Sequence, residues 1–187
     1  MILPVVTLGH PALRKKSSKV IRFNQKLRQI AADMIETMDY QQGIGLAAPQ
    51  VDIDKRIFVT RVANDKKTDE KVDSQVFINP IIKEKSKKLV NSQEGCLSIP
   101  NFQFEIKRHS EIIVKYYDLD QNVLEEECSG LKAICIQHEI DHLNGILFID
   151  HIEEKHREEA KLMLHQCNFS LDVINSEMHF AQKTTVR

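Results

Sequence analysis

The feature that most constrains this chain is the heptapeptide Gln137-His138-Glu139-Ile140-Asp141-His142-Leu143. Spacing predicts that it lies on a helix from about Gly130 to Leu143, with Ser129 at the N-cap and Asn144-Gly145 as the stop. Leu131, Ile134, Cys135, His138 and His142 recur at three- and four-residue steps and share one face. Two histidines four apart sit about 6 Å from each other along a helix axis. On an apolar stripe both rings need partners, because an unpaired buried polar group is costly. One divalent metal satisfies both, and Glu139 is placed to take a proton from water at that metal. The competing reading is a pair of core histidines held by ordinary hydrogen bonds, and the intervening glutamate weighs against it.

Such a site needs a third ligand. The four cysteines are Cys96, Cys128, Cys135 and Cys167, and no two of them form a CxxC pair. A thiolate at Cys96 with two imidazoles and an open position is a sensible catalytic set. Other HExxH metallopeptidases take their third ligand downstream, where this chain offers Glu158 and Glu159. Spacing alone leaves these choices open.

Around this helix the pattern is of short strands. Leu27, Ile30, Ala31, Met34, Ile35 and Met38 predict a first helix, ended by Gly43 and Gly45, with Pro49 preventing its resumption. Strands are expected at 56–60, at 75–79 with Pro80 as the stop, at 88–90, at 102–106, at 112–119 and at 123–126. Residues 63–74 and 83–88 read as exposed and charged. A third helix is expected from about Glu153 to Gln166, and the tail after Asn168 shows no signature. So many short strands favour antiparallel or mixed pairing over a parallel α/β sheet. With 187 residues the chain suits one domain. Its formal net charge of -1 gives no sign of DNA binding. No apolar run is long enough to span a bilayer, and the N-terminus lacks a basic segment before an apolar stretch. No membrane association is expected, and the chain reads as cytoplasmic.

Three segments together resemble the peptide deformylases: Gly43-Ile44-Gly45-Leu46-Ala47-Ala48-Pro49-Gln50, Glu94-Gly95-Cys96-Leu97-Ser98, and the heptapeptide itself. The likeness extends to Gly145-Ile146-Leu147-Phe148-Ile149-Asp150 and covers roughly residues 1–150. It implies an α+β fold, a compact single domain with small antiparallel or mixed sheets around the central metal-carrying helix. A catalytic region over 1–150 is expected, with 151–187 a C-terminal helix and divergent tail on or beyond the same domain. The implied substrate is a nascent polypeptide bearing N-terminal formyl-methionine, and the implied product is formate. Cys96, His138 and His142 become the implied ligands of one Fe2+, with Zn2+, Ni2+ or Co2+ as substitutes in purified protein. The implied reaction is attack of a metal-bound water on the formyl carbonyl, with Glu139 as general base and later acid. Gln50 and the Leu97 N–H match the groups that stabilise the developing oxyanion. Ile44 and Gly45 match substrate-binding positions, and Ile44, Ile134 and Leu97 are candidates to line a methionine pocket.

The chain departs from the family pattern after about His151 and at Asn101-Phe102-Gln103-Phe104, which is bulkier than the common glycine-containing stretch. That bulk is expected to narrow or reshape the cleft. Transient ribosome contact is an expectation, although Lys155, Arg157 and Lys161 alternate with Glu153, Glu154, Glu158 and Glu159 and form no basic stripe. The alternatives are a related metal amidase with another N-acyl substrate and a non-catalytic, metal-stabilised, ribosome-associated protein. The remaining histidines, His151 among them, read as incidental.

Overall fold

A computed structural model describes residues 1–64 and 72–184, so most of the loop expected at 63–74 lies outside the described residues. The chain enters its first helix at Asn24, whose side chain accepts the Leu27 N–H at 3.0 Å. This helix, α1 (Gln25–Tyr40), buries Leu27, Ala31, Met34 and Met38 against Leu46, Val51, Ile57, Val59 and Ile78. It ends before the expected glycines. The left-handed residue is Gln42, at φ 56°, and the Gly43 N–H returns to the Met38 carbonyl at 2.9 Å.

The strands among the described residues are β1 (Gly45–Ala47), β2 (Ile57–Thr60), β3 (Gln75–Lys85), β4 (Leu89–Cys96), β5 (Ile99–His109), β6 (Glu111–Tyr117) and β7 (Val123–Ser129). They form a five-stranded sheet, β1-β2-β3-β6-β7, and a separate β4–β5 hairpin. Every pairing is antiparallel. The expected stop at Pro80 does not occur. β3 runs through it because the register to β6 shifts between Ile78 and Ile81, so the missing proline N–H falls at a bulge. Asn79, at φ 49° in that bulge, turns its side chain onto the Val20 main chain at 2.8 and 2.9 Å. The short strand expected at 88–90 is instead the start of β4, which continues to Glu94 and Cys96.

Helix α2 spans Gly130–Leu143, the predicted range. Ser129 occupies the N-cap position without bonding the helix; its hydroxyl donates to Asn64 Oδ1 at 3.0 Å instead. The helix buries two faces. Ala133, Ile136, Ile140 and Leu143 pack on Phe58, Phe77, Val114 and Tyr116 of the five-stranded sheet. The predicted histidine face looks the other way, and its Leu131, Ile134, Cys135 and His138 line a cleft.

The hairpin closes the molecule on its far side. Phe102, Phe104 and Ile106 of β5 alternate inward, as their spacing predicts. They meet Phe148, Ile149, Ala160, Leu164, Ile174 and Met178 in one core cluster. The last four of these belong to helices α3 (Arg157–Gln166) and α4 (Leu171–Thr184). The helix expected from Glu153 opens as a tight turn at Glu154–His156 before α3, and the tail without a signature contains α4. Arg14 holds α4 in place: its guanidinium donates to Asp150 at 2.6 and 3.1 Å and to Glu177 at 2.7 Å. The result is the expected α+β class, with small antiparallel sheets around α2. No helix among the described residues is long and apolar enough to cross a membrane.

Candidate metal centre

Cys96 ends β4 at the point where the register to β5 shifts, and the turn that follows swings its thiol towards α2. Its Sγ lies 3.2 Å from His142 Nε2, which lies 3.2 Å from His138 Nε2. These three ligating atoms fall within 4.8 Å of one another, and no other such group of His, Cys, Asp or Glu occurs among the described residues. Glu158 and Glu159, the downstream alternatives, sit on α3 outside this group.

The chemistry of the donors fits a metal. His138 Nδ1 stands 2.9 Å from the Glu94 carboxylate, so Nδ1 carries the proton and Nε2 presents its lone pair. Bonds of about 2.0–2.3 Å to a tetrahedral ion hold neighbouring ligand atoms about 3.3–3.7 Å apart. The observed contacts are close to that range.

A buried ionic chain stands behind His138. Arg108, on β5 and 4% exposed, donates to both Glu94 oxygens at 2.8 and 3.1 Å and to Asp141 at 2.5 Å. Burial disfavours the Glu94 charge, but hydrogen bonds from His138 and Arg108 outweigh it and hold the carboxyl below its usual range. His151 Nε2 closes the chain on Asp141 at 2.8 Å, so this histidine is not incidental. No local motif marks Arg108 or His151, because their partners lie on other elements.

On the cleft side, Glu139 is buried and its Oε2 has no hydrogen-bond partner. Burial pushes its carboxyl up to about 7. Gly45 makes room for it: a Cβ there would collide with Glu139 Oε1 and lie 2.9 Å from Cys135 Sγ. Gln50 is 1% exposed. Its Oε1 accepts the Ala47 N–H at 2.8 Å, which turns Nε2 towards Cys96 Sγ at 3.4 Å and Ser98 Oγ at 3.3 Å.

These groups open on a cleft of about 600 Å³. Ile44, Gly45, Gln50, Cys96, Leu97, Ile134, His138 and Glu139 all line it, and His142 is buried behind them. Leu131 and Cys135 also line it; their signal was a place on the histidine face of α2. Of the bulky stretch expected to reshape the cleft, Asn101, Phe102 and Gln103 line it, and the Phe102 ring is packed into the core, its centroid 5.8 Å from that of Phe148.

A thiol and two imidazoles converging beside a buried carboxylate, on a cleft deep enough for a peptide end, make the site of a metal-dependent hydrolase. The comparisons agree. The polypeptide deformylase family matches residues 2–158. A peptide deformylase of Brucella suis biovar 1 is 44% identical over 157 residues, covering 84% of this chain and 88% of that one. The peptide deformylase of Synechococcus elongatus, solved with actinonin, superposes with a TM-score of 0.84 at 38% identity, over 91% of this chain and 90% of that one. The Met-Ala-Ser-bound class I type b peptide deformylase of Acinetobacter baumannii gives 0.75 at 36% identity, over 81% and 99%. The chain belongs to the peptide deformylase family. It is a hydrolase that removes formyl groups from nascent polypeptides.

Proposed function

We propose that Cys96, His138 and His142 hold one Fe2+, with Zn2+, Ni2+ or Co2+ as substitutes in purified protein, and that Glu139 performs the proton transfers of deformylation. The observation that carries this reading is the convergence of three donor atoms within 4.8 Å, directly beside a buried carboxylate with an unpartnered oxygen. When bound, the metal supplies Lewis-acid chemistry, acidifying water and polarising a carbonyl. Glu139 takes the proton from water as its hydroxyl adds to the formyl carbon. It then passes that proton to the methionine nitrogen as the C–N bond breaks and formate leaves. Gln50 Nε2, fixed by Ala47, donates to the oxygen on which negative charge develops, and the Leu97 N–H is its partner in that role. Two such donors are each worth roughly 3 kcal/mol at the transition state.

Ile44 and Gly45, at the start of edge strand β1, meet the substrate main chain. The methionine side chain occupies the apolar wall of Ile44, Leu97, Leu131, Ile134 and Cys135. The tripeptide held by the Acinetobacter baumannii relative supports a peptide in this cleft. Residues 1–150 form the catalytic region, and 151–187 its C-terminal helix and divergent tail. The enzyme works in the cytoplasm, with transient contact at the ribosome.

The test is formate release from a short formyl-Met peptide after anaerobic purification, with iron- and zinc-loaded forms compared. Release by wild type and a fall of about 10²–10⁴ for Glu139→Ala is the expected result. An active Glu139→Ala protein contradicts the assigned base, and an inactive, fully metallated wild type contradicts the whole reading.

A further inference from the structure

Gln93 and Gln103 stand exposed on the outer face of the β4–β5 hairpin. Gln103 lies across Gly95, where an added Cβ would meet its Cγ at 3.2 Å. Both glutamines line the catalytic cleft, and both also line a second groove of about 500 Å³. That groove has Phe104 and Lys107 of β5 on one side and His156, Glu159 and Met163 on the other. Glu159 and Met163 lie beyond the family match, which ends at 158. Helix α3 and the turn before it therefore supply one wall of a groove that borders the cleft at the two glutamines.

We propose that this groove binds the downstream part of the substrate polypeptide, roughly its fourth to seventh residues. The inference rests on the deformylation reading above. A nascent chain does not end at its methionine, so its continuation must leave the cleft at some side, and at Gln93 and Gln103 the cleft borders a second groove. Strand geometry sets the count. At about 3.3 Å per residue, Gln93 lies about 10 Å and Asn91 about 17 Å from Cys96 along β4. An extended substrate beginning at Cys96 crosses the two glutamines at about its third or fourth residue and fills the groove with the next few.

The groove is built to hold main chain more than particular side chains. Gln93 and Gln103 offer carboxamides that both donate and accept, matching peptide groups at either polarity. Half-buried Met163, beside the rim of the largely buried Phe104 ring, supplies a small apolar contact that tolerates varied side chains. At the rim Lys107 pairs with Glu153 at 2.7 Å, and His156 Nδ1 lies 3.5 Å from the Glu159 carboxylate. Such a site adds affinity with little sequence preference, which suits an enzyme that must accept many different chains.

The experiment measures binding of formyl-Met peptides of about three, five, eight and twelve residues, labelled at the C-terminus, to the metallated Glu139→Gln protein by fluorescence anisotropy. Affinity is expected to rise about tenfold between three and eight residues and then to level off. Asn91→Trp and Glu159→Trp, both at exposed positions on opposite walls, should each remove that rise and leave the affinity of the three-residue peptide unchanged. Thermal unfolding of both variants should match wild type. Equal affinity at three and eight residues, no binding at any length, or a rise that survives both substitutions overturns the proposal. Formate release by wild type from the three-residue peptide is read separately, so a failure of the deformylation reading is distinguishable from a failure of the groove.

Discussion

Glu94 Oε2 accepts a hydrogen bond from His138 Nδ1 at 2.9 Å, and this contact decides which nitrogen of His138 faces Cys96. Glu94→Gln keeps the shape but replaces one oxygen with an amide nitrogen, which cannot accept from both His138 and Arg108. Metal affinity should fall about 10–100-fold. Competition against a chelator at fixed metal concentration measures it, and an unchanged affinity would show that His138 is oriented by other means.

Arg108 neutralises Glu94 and Asp141 together, at 4% exposure. Arg108→Met fills the space but leaves the buried Glu94 carboxylate, and the half-buried Asp141, facing an apolar chain. The expected loss is about 3–5 kcal/mol, because an abandoned buried charge costs more than the pair contributes. Equilibrium urea unfolding of the two proteins, under identical metal loading, is the measurement.

Gly45 lies against Glu139 and Cys135, with no room for a methyl group. Gly45→Ala should cost about 1–3 kcal/mol through overpacking. It should also lower kcat by displacing the Glu139 carboxylate. Normal turnover of a short formyl-Met peptide by this variant would mean that β1 yields, and that Glu139 needs no such close support.

Arg14 joins the first turn of the chain to Asp150 and to Glu177 of α4. Arg14→Leu leaves both carboxylates without that partner and should loosen α4 from the core. Limited proteolysis is then expected to cut within 157–184 at least several times faster than in wild type. Equal cleavage rates would assign the docking of α4 to Ile174 and Met178 alone.

Much of the architecture was legible because it is local. The range of α2 followed from apolar spacing, and β5 followed from strict alternation at Phe102, Phe104 and Ile106. The mistakes were local rules overridden by distant partners. Pro80 stays inside β3 because a bulge removes the need for its N–H. Ser129 does not cap α2 because Asn64 takes its hydroxyl. His151 looked idle because Asp141 and Arg108, its partners, reach it only through folding.

The sequence by itself determined the helical spacing that puts His138 and His142 on one face, with Glu139 between them. It also determined the three segments that carry the family likeness. These are properties of a residue's near neighbours, and near neighbours are what a sequence records directly. Only the tertiary structure decided that the thiol of Cys96, forty-odd positions away, closes on those imidazoles and that Glu139 is buried beside Gly45. It also decided that α3, a helix legible in the sequence, walls a groove next to the cleft. Each of these depends on the hairpin and α2 packing together over shared core. Burial and ion pairing between distant segments set that packing, and no short stretch of chain contains it.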